Sequence, residues 1–288
     1  MTHPQFKTVQ CLSPAGLHRM AYKEWGDPQN PNVLVCVHGL TRVSDDFDAL
    51  ARALSDTYRV VCPDVVGRGR SDWLRDAHYY AIPQYVSDMV TLLARLEAET
   101  VDWLGTSMGG LIGMGLASLP GNPVRKLLLN DIGFNLNPVA IARIGDYLGQ
   151  PVRFGTFDEA VHYIRAISLT FGPHTDEEWR KFAADVLRQQ PGGQWILHYD
   201  AGIAVPFKAV TPESVQREAA LLAAAYDAIT CQTLVVRGRE SDLLTREVAQ
   251  AMTERGPRAT LVEIAGVGHA PTFVHADQIA IARDFFVG

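Results

Sequence analysis

The chain has 288 residues, 47% of them hydrophobic and 20% charged, with 26 Lys and Arg against 32 Asp and Glu. That length suits one large domain or two modest ones, and it buries enough surface to hold together without disulfides or metal. A net charge of -6 without like-charge blocks argues against a nucleic-acid binder, and no apolar run approaches the ~20 residues of a membrane span. The first seven residues, Met1 to Lys7, lack the apolar run of a signal peptide. The four cysteines, Cys11, Cys36, Cys62 and Cys231, have no CxxC spacing and mostly sit in apolar strand-like runs. They read as small buried thiols. Both features favour a cytoplasmic protein.

Along the chain, segments at about 6–12 and 18–26 alternate in polarity around Ser13-Pro14-Ala15-Gly16, which predicts an antiparallel hairpin at a sheet edge. Residues 33–37 form a continuous apolar run, as do the similar runs at 59–62, 101–105 and 126–130. Such runs mark strands buried on both faces. Helical patterns at about 44–54, 82–98 and 107–119 lie between them, so the first 130 residues predict a mainly parallel sheet covered by helices. The alternation stops after Asp131. From 134 to 216 the chain shows helical stretches broken by Pro and Gly and rich in aromatic residues. A strand at 233–238, a helix at about 245–255, a strand at 259–264 and a helix at about 275–286 follow. An α/β core at 1–133 and 217–288 with a helical insertion at 134–216 explains this order.

Gly105-Thr106-Ser107-Met108-Gly109 lies between a predicted strand and a predicted helix. G-x-S-x-G in that context predicts a nucleophile elbow, a turn so sharp that small residues must flank the serine. A serine hydroxyl needs a base to remove its proton. Of the nine histidines, His269 in Gly266-Val267-Gly268-His269-Ala270-Pro271 follows the last strand in a loop that can reach back over the sheet edge. The base needs a carboxylate in turn. Asp242, just past the 233–238 strand, is the preferred candidate because Ser107, Asp242, His269 is the chain order expected for this topology. Asp131, at the end of the 126–130 strand, is the rival. The backbone N–H groups of Leu40 and Met108 are the expected oxyanion donors. His38 reads as a brace for its loop rather than a second base. Arg42, two residues beyond Leu40, is a candidate for binding a substrate carboxylate, with pairing to Asp45 or Asp46 as the alternative.

Taken together, His38-Gly39, Asp64-Val65-Val66-Gly67-Arg68-Gly69-Arg70-Ser71, the elbow, Ser241-Asp242-Leu243-Leu244 and Gly268-His269-Ala270-Pro271 resemble the α/β-hydrolase fold family with a helical cap, over essentially the whole chain. The resemblance implies a doubly wound, mostly parallel eight-stranded sheet with the cap inserted after the sixth strand. It implies a serine hydrolase acting through an acyl-enzyme on a small or medium carboxylic ester, without a cofactor. A C–C bond or lactone hydrolase with the same triad, and a hydrolase-like ligand-binding receptor, are the competing readings. Ser107 departs from the aspartate nucleophile of the family's dehalogenases and epoxide hydrolases. The scattered histidines offer no metal-binding spacing. The expected partner is a small-molecule ester, with neither nucleic acid nor membrane, and a homodimer is left open.

Overall fold

The computed structural model describes residues 3–208 and 212–288, residues 212–216 by their backbone. Met1, Thr2 and residues 209–211 of the expected insertion lie outside the described residues. In chain order the elements are β1 (Gln5–Ser13), β2 (Gly16–Trp25), β3 (Val33–Val37), α1 (Asp48–Leu54), β4 (Arg59–Pro63), α2 (Ile82–Leu96), β5 (Val101–Thr106), α3 (Met108–Ala117) and β6 (Val124–Asn130). The segment after β6 holds α4 (Pro138–Tyr147), β7 (Arg153–Phe154), α5 (Phe157–Ile167), α6 (Asp176–Val186), β8 (Leu187–Gln189), β9 (Trp195–Leu197), α7 (Val205–Lys208) and α8 (Pro212–Asp227). The chain closes with β10 (Gln232–Gly238), α9 (Arg246–Glu254), β11 (Thr260–Ile264) and α10 (Ala276–Val287).

Eight strands form one sheet in the order β1-β2-β4-β3-β5-β6-β10-β11. The β1–β2 and β2–β4 pairs are antiparallel and the rest parallel. All five residues of β3 are buried, as a run with no polar alternation requires when helices cover both faces. Val33, Val35 and Val37 join the apolar layer that includes residues of α2, α3 and α9. Leu34 and Cys36 join the opposite layer with residues of α1 and α10. The period of two along the strand therefore feeds two cores.

The insertion between β6 and β10 departs from an all-helical cap. Helices α5 and α6 pack together and share a small core of Ala160, Ile164, Ala183 and Val186. Both start in capping boxes, Thr156 with Glu159 and Thr175 with Glu178. Beside them β7, β9 and β8 form a second, antiparallel sheet. Strands of 2 to 3 residues are too short for alternation to register in the sequence. The expected boundary at 216/217 falls inside α8, whose C-terminal turn carries the wholly buried Tyr226. Tyr226 packs against Phe134 in a tilted pair at a centroid distance of 5.5 Å and donates to the Met252 carbonyl at 2.6 Å. Among the described residues no helix is long and apolar enough to cross a membrane.

Candidate active site

Strand β5 ends and helix α3 begins at Ser107, whose φ of 52° and ψ of -113° lie far from the usual regions for a residue with a Cβ. Close approach of backbones imposes the flanking glycines. A Cβ on Gly105 would lie 2.2 Å from the Gly109 carbonyl oxygen, and one on Gly109 would lie 2.0 Å from that of Val37. The Ser107 N–H donates to the Asn130 carbonyl at 3.0 Å. The elbow is thus fastened to the end of β6 and wedged beside the end of β3.

The loop after β11 brings His269 to this turn. Its Nε2 lies 2.9 Å from Ser107 Oγ and its Nδ1 lies 2.7 Å from Asp131 Oδ2. Asp131 is completely buried at the end of β6 in the left-handed region, with φ 53°. Its Oδ1 accepts from the Gly238 N–H at 2.8 Å, and its Oδ2 also accepts from the Ser241 hydroxyl at 2.5 Å. A carboxylate held by two donors besides the imidazole can fix the tautomer that leaves Nε2 free to accept a proton. Ser107 and His269 meet as the sequence predicts.

Asp242 does not join them, and this corrects the expected acid. Its carboxylate points outward, 45% exposed, and pairs with Arg143 of α4 at 2.7 Å. The segment that the sequence singles out after β10 does reach the site, but through Gly238 and Ser241, which donate to Asp131 instead of supplying the acid. The only sequence signal for Asp131 was its position at the end of a core strand.

Leu40 follows Gly39, on which a Cβ would stand 3.8 Å from Ser107 Cβ, so the loop after β3 runs alongside the serine. Met108 is the first residue of α3, where a backbone N–H has no intrahelical acceptor. The N-terminal end of α3 also carries partial positive charge. His38, fully buried, accepts the Val65 N–H on Nε2 at 2.9 Å and places Nδ1 2.7 Å from the Gly39 carbonyl. Both contacts suit a neutral ring protonated on Nδ1, and burial lowers its pKa. His38 therefore braces the loop.

Arg42 also departs from the expected substrate-facing cation. Its guanidinium makes a forked pair with Asp46, with contacts of 2.6 and 2.9 Å, and Nη1 donates to the Phe182 carbonyl of α6 at 3.3 Å. It lies 5.5 Å from the Phe182 ring centroid and 5.9 Å from that of Phe171. The charge is compensated, and the side chain joins core to insertion. Thr170 makes a further junction that the sequence did not reveal. Its hydroxyl donates to the His269 carbonyl at 2.5 Å, and its own carbonyl accepts the Gly268 N–H at 2.7 Å.

The chemistry of this arrangement needs no redox group: a hydroxyl, an imidazole and a buried carboxylate in hydrogen-bonded sequence can activate the hydroxyl as a nucleophile. A sequence profile of the alpha/beta hydrolase family matches residues 34–282. The chain belongs to the alpha/beta hydrolase family. Among curated proteins, the 3-hydroxybutyrate-oligomer hydrolase of Cupriavidus necator is 60% identical to this hydrolase over 288 residues, spanning 99% of this chain and 98% of the relative. Lipase 1 of Psychrobacter immobilis is 23% identical over 274 residues, 94% of this chain and 81% of its own length. Among solved structures, an alpha/beta hydrolase from Novosphingobium aromaticivorans matches with a TM-score of 0.86 and 33% identity, covering 100% of this chain and 99% of that one.

Proposed function

We propose that this hydrolase cleaves carboxylic esters through an acyl-enzyme, and that short 3-hydroxyacyl ester oligomers of the 3-hydroxybutyrate type are its substrates. The observation that carries the reading is the continuous path from Ser107 Oγ to His269 Nε2 (2.9 Å) and from His269 Nδ1 to Asp131 Oδ2 (2.7 Å). Ser107 attacks the ester carbonyl while His269 takes its proton, and Asp131 stabilises the imidazolium. The N–H groups of Leu40 and Met108 receive the oxyanion. His269 then protonates the leaving alcohol and activates the water that releases the acid. The substrate class rests on the 60% identity to the Cupriavidus necator enzyme across both full lengths. It also agrees with the contact of the insertion with the histidine loop, through Thr170 and His269, which suits short chains better than polymers.

The test is steady-state hydrolysis of p-nitrophenyl esters from acetate to dodecanoate and of 3-hydroxybutyrate dimer and trimer, with Ser107→Ala alongside. We expect turnover of the oligomers and the shorter esters. In the folded variant kcat should fall by about 10⁶. Turnover unaffected by the substitution overturns the serine mechanism. Ser107-dependent cleavage of lactones or C–C bonds alone overturns the ester assignment.

A further inference from the structure

The turn after β4, Gly67-Arg68-Gly69-Arg70, buries a guanidinium that the proposed chemistry has not used. Arg68 is 0% exposed. Its Nε donates to the Leu40 carbonyl at 2.8 Å, and its Nη1 to the Val66 carbonyl at 2.7 Å and the Tyr85 hydroxyl at 3.0 Å. Its Nη2 lies 3.6 Å from Met108 Sδ. The rings of Tyr80 and Tyr85 lie against it, with centroids 5.7 and 5.2 Å from Cζ. Among the described residues no carboxylate lies within ion-pairing distance of Arg68, although the other buried cations, Lys23, Arg42 and Arg237, all have one.

A buried charge with no carboxylate in ion-pairing contact is costly unless something in its surroundings gains from it. The two residues that the free edge of this guanidinium reaches, Leu40 and Met108, are the two whose N–H groups face the developing oxyanion in the proposed reaction. The Arg68–Leu40 bond lies one peptide beyond the donating N–H, so it sets the tilt of that donor. The contact with Met108 packs against the first residue of α3. An unpaired positive charge behind both donors also favours negative charge in front of them, in a setting with little water to screen it.

We propose that Arg68 is the positioning residue of the oxyanion hole, holding the Leu40 and Met108 donors in place and setting a positive potential behind them that the tetrahedral intermediate alone neutralises. The inference rests on the serine mechanism above. The intermediate carries a charge that the bound ester lacks, so Arg68 acts on kcat and leaves ester binding nearly untouched.

The test compares the wild type with Arg68→Met, which removes the charge, and Arg68→Lys, which keeps it but loses the fork. Arg70→Gln is the control, because that neighbour's side chain pairs with Asp45 at the surface. For p-nitrophenyl butyrate we expect Arg68→Met to lower kcat about 10²-fold, with KM within about twofold. Arg68→Lys should fall between. Butylboronic acid, which forms a tetrahedral anion on the serine, should lose affinity in parallel with kcat, while inhibition by the neutral butyramide stays unchanged. If Arg68→Met does not fold, Arg68→Lys decides: kcat and boronate affinity at wild-type values overturn the proposal. A loss shared equally by kcat, KM and butyramide binding overturns it too, since general disorder of the site predicts that pattern. Boronate affinity is read by calorimetry without turnover. Ser107-dependent boronate binding without ester hydrolysis therefore sinks the ester assignment while leaving the Arg68 reading standing.

Discussion

Asp131 accepts from Gly238, Ser241 and His269 with no solvent exposure, whereas Asp242 faces water and pairs with Arg143. A buried carboxylate among fixed donors keeps its geometry through a catalytic cycle. An exposed ion pair contributes about 0–1 kcal/mol and is screened by salt. The two aspartates should therefore separate in a simple experiment. Asp131→Asn, which keeps the shape but favours the wrong imidazole tautomer, should reduce kcat by about 10⁴. Asp242→Asn should leave kcat within about threefold. Steady-state kinetics on p-nitrophenyl butyrate checks both, and the opposite ranking would return the role to Asp242. At this scale the serine and histidine were legible because each sits in a glycine-flanked motif that names its own turn. The acid was not. Two aspartates follow neighbouring core strands, and only the path of the 238–244 loop decides which carboxylate faces the imidazole.

Helix and loop elements of the insertion reach the site through backbone contacts that no residue pattern announces. The short helical turn at Leu169–Phe171 clamps the histidine loop, with the Thr170 hydroxyl on the His269 carbonyl and the Gly268 N–H on the Thr170 carbonyl. Removing the hydroxyl while keeping the shape isolates one of these bonds. Thr170→Val should cost about 1 kcal/mol of stability and lower kcat by about 2–10-fold through a looser His269, with denaturant unfolding and kcat as the paired readouts. A variant with wild-type stability and turnover would show the clamp to be incidental. The turn after β4 carries a similar load on the other side. The Asp200 N–H donates to the Gly67 carbonyl at 2.8 Å, and the Tyr80 hydroxyl donates to Asp200 at 2.5 Å. Two core loops thus tether the insertion by backbone and side-chain bonds.

Across the whole molecule, burial has set the titration of several histidines in one direction. Burial lowers the pKa of His38, His174 and His198, with the neighbouring His275 adding to the effect at His174 and Arg188 at His198. A histidine whose folded pKa is depressed contributes stability that is present above its unfolded value of about 6.5 and is lost as the pH falls below it. One fully depressed histidine such as His38 can supply at most about 1.4 kcal/mol per pH unit, and the half-buried pair supply less. Asp185 opposes this trend, because burial raises its pKa to about 6 despite the nearby Lys181. Its proton is taken up by the folded state between about pH 4 and 6, adding stability on the acid side. Urea unfolding should therefore show lower stability at pH 5.5 than at 7.5, and Asp185→Asn should steepen the decline. A profile that rises toward pH 5.5 in the wild type would contradict the histidine assignment.

The sequence by itself determined the doubly wound core, the hairpin edge, the elbow serine and the histidine that meets it. Each is encoded locally, by a buried-strand run, by helical periodicity, or by glycines that a tight turn requires. Tertiary structure alone decided which aspartate meets His269, the neutralisation of Arg42 by Asp46, the three-stranded sheet within the insertion and the burial of Arg68 behind the Leu40 loop. These depend on contacts between residues far apart in the chain: 138 positions separate Asp131 from His269, and 40 separate Arg68 from Met108. A side chain's charge and hydrogen-bonding capacity are written in its own residue. Whether that capacity is spent on a neighbour, on solvent or on substrate is fixed only when distant strands converge at one sheet edge.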